Sequence, residues 1–214
     1  MSKDTKPKHD ELQKKHALEQ HEVKQVLNFL KRYGTLIGAG IVAATVAVLA
    51  SHALAANKAA KIAEAEQMLL SAQTPQQLEE VVNNYKSTPT APVALLNLAK
   101  TLFNEGETAQ ARAQYERFVD DYKKSDQLPI AVFGLAYCSE AEGRFDEAAS
   151  EFKTFLADNP GHYLESPAVL AMARCLEQAG RTNEARIVLE DFLAQNADSR
   201  WAGAAEVSLQ QLGK

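Results

Sequence analysis

Residues 131–160, AVFGLAYCSEAEGRFDEAASEFKTFLADNP, decide the fold of this chain. The stretch holds two apolar patterns of helical period, which Gly143 separates and the sequence DNP at residues 158–160 ends. A glycine between two such patterns ends the first helix without steric cost, because it adopts the left-handed backbone conformation that other residues avoid. We therefore predict two helices joined by a short turn.

The same pattern recurs along the chain at a constant offset of 37 residues. Several positions agreeing at one offset indicate an internal repeat of a two-helix unit. Small residues recur where the two helices of a unit would cross closely, and large apolar residues recur where one unit would pack on the next. The coinciding sets are Leu98, Leu135 and Met172; Ala99, Ala136 and Ala173; Gly106, Gly143 and Gly180; Ala111, Ala148 and Ala185; Tyr115, Phe152 and Leu189; and Phe118, Phe155 and Phe192.

Further helices flank these units on both sides. Before them, Thr74 and Gln77 form a capping-box pattern around Pro75, which suits the first turn of a helix. After them, residues 199–213 predict one more helix, which a stack of repeats needs to cover its last apolar face. The predicted units are residues 58–87, 91–123, 129–160 and 166–197, followed by the capping helix.

This arrangement resembles the tetratricopeptide repeat. The repeated alanines, the turn glycines, the large apolar residues and Pro160 stand where that family places them, although the period is longer than the usual 34 residues. The resemblance implies an all-α fold, in which a helical solenoid of about 3.5 to 4 units follows an N-terminal transmembrane helix. It also implies a protein-binding scaffold.

The transmembrane helix is predicted at residues 33–56. Gly34 to Ala56 contains no charged residue over 23 positions, and a helix of that length spans about 35 Å, enough for a hydrocarbon core of about 30 Å. Cleavage after Ala55 is the alternative, because residues 53–55 (ALA) fit the signal-peptidase pattern. Gly34 and Gly38 form a small-residue pair that could pack against another membrane helix.

Charge gives the predicted orientation. Residues 1–32 carry eight Lys or Arg against five Asp or Glu, whereas residues 57–214 carry 15 against 23. The positive-inside rule therefore places residues 1–32 in the cytoplasm and residues 57–214 on the other side of the membrane, which the resemblance to bacterial envelope members of the repeat family implies is the periplasmic side of the inner membrane. Within the tail we expect residues 1–12 to lack regular structure, and a short amphipathic helix to begin near Val23.

Composition and motifs exclude several functions. The net charge of −5 gives no reason to expect nucleic-acid binding, which needs a basic face. No phosphate-binding loop, nucleophile elbow or zinc-protease motif occurs, and the histidines lack metal-ligand spacing. We therefore predict no enzyme activity, no catalytic or metal residue, no cofactor and no small-molecule substrate.

Two cysteines, Cys138 and Cys175, occupy equivalent positions of consecutive units. A periplasmic location would permit a disulfide. Neighbouring helices stand about 8–10 Å apart at their axes, however, and a disulfide needs Cα atoms within about 7 Å. We expect two small buried side chains, with the disulfide as the alternative.

A groove lined by the first helices of the units is the candidate protein-binding site. In the repeat family these positions contact peptides, and here they combine apolar, aromatic and basic side chains. Such a mixture suits an extended or non-native polypeptide. The candidate groove residues are Leu96, Lys100, Phe103, Phe133, Tyr137, Leu170 and Arg174.

The layout of tail, membrane helix and repeats is similar to the family of ancillary subunits of the bacterial Sec translocon. The stretch VKQVLNFLKRYG at residues 23–34 runs directly into the membrane helix, as in that family. The resemblance implies that translocon subunits, exported polypeptides or periplasmic chaperones are the partners. The repeats are equally similar to periplasmic proteins of envelope maintenance, cell-division coordination and outer-membrane assembly, so that function is the alternative.

Overall fold

The computed structural model describes residues 6–212, with side chains from Val23 onward, and within them it contains nine α-helices and no β-strand. The fold is therefore all-α, as predicted. The helices are α1 Lys6–Ser71, α2 Pro75–Asn84, α3 Thr90–Asn104, α4 Thr108–Asp121, α5 Leu128–Ala141, α6 Phe145–Asp158, α7 Glu165–Gln178, α8 Thr182–Gln195 and α9 Ala202–Gln211.

The chain divides into two compact units, Met1–Ala60 and Lys61–Lys214. The described part of the first unit is helical throughout. Its segment from Val23 onward is long and apolar enough to cross a membrane. Large apolar side chains such as Leu36, Ile41 and Leu54 are exposed there instead of packing on protein. This distinguishes α1 from the buried core helix of a soluble protein.

One expectation about the N-terminal tail is wrong. We expected residues 1–12 to lack regular structure, but α1 begins at Lys6; residues 1–5 lie outside the described range. Pro7 is tolerated in the first turn, where its missing N–H would have no helical partner. The residues after it are mostly Glu, Gln, Lys, Ala and Leu, which are strong helix formers, so the helix extends back from the apolar segment. The short amphipathic helix expected near Val23 is part of this longer helix.

The start of α2 confirms the predicted capping box. The hydroxyl of Thr74 accepts a hydrogen bond from the Gln77 backbone N–H at 3.3 Å. In return, the Gln77 side-chain oxygen accepts one from the Thr74 N–H at 3.2 Å, and Pro75 occupies the first turn. Two N–H groups that a helix start leaves without partners are thereby satisfied.

The turns between paired helices confirm the role of the repeated glycines. Gly106, Gly143 and Gly180 have φ of 84°, 76° and 76°, and each is followed within two residues by the next helix. Side chains rarely adopt this left-handed conformation. The sharp turn after α3, α5 and α7 therefore depends on glycine.

The repeat core consists of two clusters along the stack. The first is built mainly from α2 to α4 and includes Phe118, and the second is built from α5 to α9 and includes Phe152 and Phe155. All three rings are fully buried, at 0 % exposure. The repeated alanines are also buried, which confirms that they mark close contacts between helices: they are Ala99, Ala111, Ala136, Ala148, Ala173 and Ala185.

A close approach that sequence reasoning missed lies between α4 and α5. The ring of Tyr115 lies against the backbone of Gly134, so that a Cβ added there would stand 2.6 Å from ring carbon Cε1. A carbon–carbon contact needs about 3.5–4.0 Å. Gly134 is therefore required by the ring opposite it, although a glycine inside a helix costs about 1 kcal/mol relative to alanine.

The two cysteines are buried free thiols. Burial raises the pKa of Cys138 to about 11 and that of Cys175 to about 12. A thiol with so high a pKa is almost entirely protonated at neutral pH and is a poor nucleophile. The structure thus agrees with two small core side chains.

Candidate peptide-binding groove

Tyr137 of α5 lies at the centre of the predicted groove. Its ring meets Phe103 of α3 edge-on at a centroid distance of 6.3 Å, Phe133 at 4.9 Å and Phe152 of α6 at 5.2 Å. Edge-to-face pairs at these distances are favourable beyond the area that they bury. Burial raises the pKa of Tyr137, so its hydroxyl stays neutral at physiological pH. The site therefore presents the edge of an ordered aromatic cluster.

Arg174 of α7 closes one side of this cluster. Its guanidinium makes two hydrogen bonds to the carboxylate of Glu140, with the NH2–Oε2 pair at 2.7 Å, and its Cζ lies 6.0 Å from the Tyr137 ring centre. The hydrogen bonds to Glu140 raise the pKa of Arg174. A bidentate pair of this kind leaves little unbalanced charge for a ligand.

An open cavity of about 420 Å³ lies over Tyr137 and Arg174. Phe103, Glu140 and Phe145 also line it. The structure thus brings together three predicted groove residues: Phe103, Tyr137 and Arg174. The guanidinium of Arg174 is already paired with Glu140, so the accessible surface of this cavity is mainly aromatic and aliphatic.

The other predicted groove residues lie outside this cavity lining. Lys100 is exposed, and Leu170 is half-buried in the second core cluster. Phe133 supports the site indirectly, since its ring packs on Tyr137, Phe152 and Phe155. Leu96 is wrong as a groove residue: it is 8 % exposed and belongs to the first core cluster, against which Met68 of α1 also packs.

The ion pair between Arg174 and Glu140 could have been found in the sequence. The two residues are 34 apart, three fewer than the repeat period. Glu140 therefore corresponds to Glu177 of the next unit, and Arg174 lies one helical turn before that position. Opposite charges at this offset indicate neighbours on consecutive first helices.

The predicted membrane-helix pair, Gly34 and Gly38, lies in the exposed apolar part of α1. A Cβ at either glycine would meet nothing within 4 Å. Their role in packing stays a prediction. In the part of the chain that the structure describes, no group of three His, Cys, Asp or Glu side chains could hold a metal ion.

Two family models match the chain. A tetratricopeptide repeat-like domain matches residues 27–159, which is more than half of the chain, and a tetratricopeptide repeat matches residues 140–206. The chain belongs to the tetratricopeptide repeat-like family. The first match begins inside α1 and includes the whole uncharged segment. No curated protein sequence matches the chain.

Solved structures of tetratricopeptide repeats have the same fold. The TPR-like repeats of a kinesin light chain from Podosopora anserina have a TM-score of 0.57 at 19 % identity, covering 72 % of this chain and 83 % of that one. A tetratricopeptide repeat protein from Parabacteroides merdae has a TM-score of 0.54 at 18 % identity, covering 72 % and 59 %. At such identities the likeness concerns the fold alone. The family to which the chain belongs, the tetratricopeptide repeat-like family, is one of protein-interaction scaffolds.

Proposed function

We propose that this tetratricopeptide repeat protein is a single-pass bacterial inner-membrane protein, with its N-terminus in the cytoplasm and its repeats in the periplasm. There it acts as an ancillary translocon subunit that assists the export and folding of periplasmic proteins. The observation that carries the proposal is the continuity of α1, in which one helix holds the 23 uncharged residues of Gly34–Ala56 and the start of the repeat domain. The match to the repeat family from residue 27 supports a retained segment.

The charges around this segment support the orientation. Lys31 and Arg32 lie directly before it, and the guanidinium of Arg32 stands 5.6 Å from the ring centre of Tyr33. Basic and aromatic side chains at one end of an apolar helix are typical of the interface on the cytoplasmic side.

The Tyr137 cavity supports the choice of an extended polypeptide as ligand. Its rings offer apolar contacts that many sequences can use, whereas its one cation is neutralised by Glu140. Such a surface selects exposed aromatic and aliphatic side chains, which a chain leaving the translocon presents before it folds.

A released periplasmic protein of envelope maintenance, cell division or outer-membrane assembly is the second candidate function. The observation that favours it is the ALA sequence at residues 53–55, where a signal peptidase could cut.

The test is purification of the full-length protein from membranes in mild detergent, with mass spectrometry of the proteins that accompany it. The export function predicts translocon subunits together with exported precursors or periplasmic chaperones. It also predicts that they are lost when a cleavable signal sequence replaces residues 1–56. Recovery in the soluble periplasm, cut after Ala55 and accompanied by division or outer-membrane assembly proteins, would support the second candidate instead.

The groove is tested by replacing Tyr137 and Arg174 with alanine together. We expect this variant to lose exported precursors while it keeps the translocon subunits, because the membrane helix is unchanged. Tyr163→Ala is the matched control, since Tyr163 is 67 % exposed and lies outside the cavity lining. Unchanged precursor capture by the double variant would count against the groove.

A further inference from the structure

A second cavity lies between the second helices of two units. It has a volume of about 390 Å³, lies between α6 and α8, and reaches α7. Met172 and Leu176 of α7 line it, together with Ala149 of α6 and Ile187 and Val188 of α8. We call it the apolar slot. Ile187 is 56 % exposed, and few other large apolar side chains from Lys61 onward are exposed to that degree.

In the preceding repeat unit, a side chain of the protein itself occupies the equivalent place. Subtracting 37 from Ala149 gives Arg112 of α4, whose side chain is only 19 % exposed. Its NH2 group donates to the Ser139 hydroxyl at 2.9 Å and to the Glu142 carboxylate at 3.0 Å. In this unit, therefore, an arginine of α4 reaches the C-terminal end of α5 and is held there by two polar partners.

All three of these residues are replaced by apolar ones at the apolar slot. The equivalents of Arg112, Ser139 and Glu142 are Ala149, Leu176 and Ala179. The replacement shortens the filling side chain and removes both of its hydrogen-bond partners. In the same way, Ser150 and Glu151 of α6 correspond to Ile187 and Val188 of α8, which line the slot.

The charge at the rim also differs. Glu116 of α4 corresponds to Lys153 of α6, which lines the slot. Arg181, also at the rim, is already engaged by Asp146 at 3.0 Å and by Glu184 at 2.7 Å. None of the ion pairs found in residues 23–212 includes Lys153. The rim thus offers one lysine without an ion pair beside an apolar cavity, and the acid that also lines the slot, Glu184, is paired with Arg181.

We propose that the apolar slot is a docking site for a partner polypeptide that inserts an aliphatic side chain beside a carboxylate. The aliphatic group takes the place that Arg112 fills one repeat earlier, and the carboxylate meets Lys153. A concave apolar site with a few polar groups that fix orientation is the usual form of a specific pocket. This site shares α6 and α7 with the Tyr137 cavity but none of its lining residues, and it does not depend on the membrane location or the export function.

The three methionines of the chain allow a direct test. Met172 lines the slot, whereas Met68 packs against the first core cluster and reports on folding. The full chain, labelled with ¹³C at the methionine methyl groups, is placed in lipid nanodiscs and titrated with an eight-residue peptide of alternating leucine and glutamate. We expect a saturable shift of the Met172 methyl resonance with that of Met68 unchanged. A peptide of alternating leucine and lysine should bind about tenfold more weakly.

Two variants decide the outcome. Lys153→Glu should reverse the preference between the two peptides, and as a change of an exposed residue it should leave the Met68 resonance in place. Ala149→Arg combined with Ala179→Glu restores the arginine and the carboxylate of the preceding unit. The arginine should then fill the slot and abolish the Met172 shift. The proposal is overturned if millimolar leucine–glutamate peptide leaves Met172 unmoved, if Lys153→Glu leaves the preference unchanged, or if the rebuilt slot still responds.

Discussion

The repeat stack contains two contacts between consecutive units with a turn glycine, which we call seams. The helices are arranged in the same way at both seams, but the side chains between them differ. The first seam, where α4 packs on α5, holds Tyr115 against Gly134 and Arg112 against Ser139 and Glu142. The second seam, where α6 packs on α7, has Phe152, Ala171, Ala149, Leu176 and Ala179 at the equivalent positions. At the first seam the larger ring, Tyr115, faces the smaller residue, Gly134. Arg112 also has two polar partners there, which the second seam lacks.

This difference shows that the repeat conserves helix placement, while each seam is filled by residues that change together. Replacing one member of a contacting pair at a seam should therefore lower the free energy of unfolding more than replacing both members together. Stability measurements on matched variants can test this dependence.

Gly134→Ala should have the largest effect. The new methyl group would meet the Tyr115 ring, and overpacking of this kind costs about 1–3 kcal/mol. The better helix propensity of alanine offsets up to about 1 kcal/mol of that loss. We expect a lower free energy of unfolding in urea, measured on the full chain in detergent through the fluorescence of Trp201, the one tryptophan.

The second seam supplies the controls for this variant. Ala171→Gly should cost only about 1 kcal/mol, since it removes a methyl group and adds backbone freedom. The double variant Gly134→Ala/Tyr115→Leu removes the ring carbons that lie against Gly134, introduces the residue found at the equivalent position 189, and should recover part of the loss. Wild-type stability of Gly134→Ala alone would contradict the close approach between α4 and α5.

Arg112→Met should have the next largest effect. Methionine keeps most of the side-chain volume, but it leaves the fully buried Ser139 hydroxyl without its guanidinium partner. We expect a loss of about 1–2 kcal/mol in the same urea experiment.

The control for Arg112→Met is Arg181→Met at the second seam. Arg181 is 41 % exposed and its partners lie on the surface, so its removal should cost less than about 1 kcal/mol. Equal losses from the two variants would show that the Arg112 network is an ordinary surface cluster.

The smallest effect should be a difference in acid stability. Hydrogen bonding to Arg112 lowers the pKa of Glu142 below its usual value. A carboxylate with a lowered pKa stabilises the folded state above its unfolded pKa of about 4.3, and this contribution is lost as the pH falls through the folded pKa. Glu142→Gln should therefore lower stability at pH 7 and reduce its decline below pH 5.

Glu184→Gln provides the comparison at the second seam. Hydrogen bonding to Arg181 lowers the pKa of Glu184 as well, but this side chain is 56 % exposed. Solvent screens such a pair, so the pH profile should change less than with Glu142→Gln. Unfolding midpoints measured from pH 3 to pH 7 would show the order, and a larger change for Glu184→Gln would reverse our interpretation.

Local features of the fold could be predicted because their causes lie within a few residues. The turn glycines require only the backbone conformation at one position, and the Thr74 cap requires only Gln77 three residues later. The offset of 37 residues then extended these local predictions to the whole stack.

The candidate site could be predicted only in part. Phe103 and Tyr137, both predicted at the groove, meet edge-on although they are 34 residues apart and not at equivalent positions of the repeat. Leu96 was misplaced because its burial depends on what a neighbouring helix places opposite, whereas the pairing of Arg174 with Glu140 was missed although their spacing of 34 residues indicates it.

By itself, the sequence determined the all-α fold, the repeat register, the turn glycines, the Thr74 cap and an apolar segment long enough for a membrane, since periodicity and composition encode them directly. Only the tertiary structure decided which groove residues are accessible and that one seam is filled by Arg112 while the next is open. The physical reason is that packing depends on pairs of residues about one repeat apart, whose side-chain volumes and charges must match across a contact.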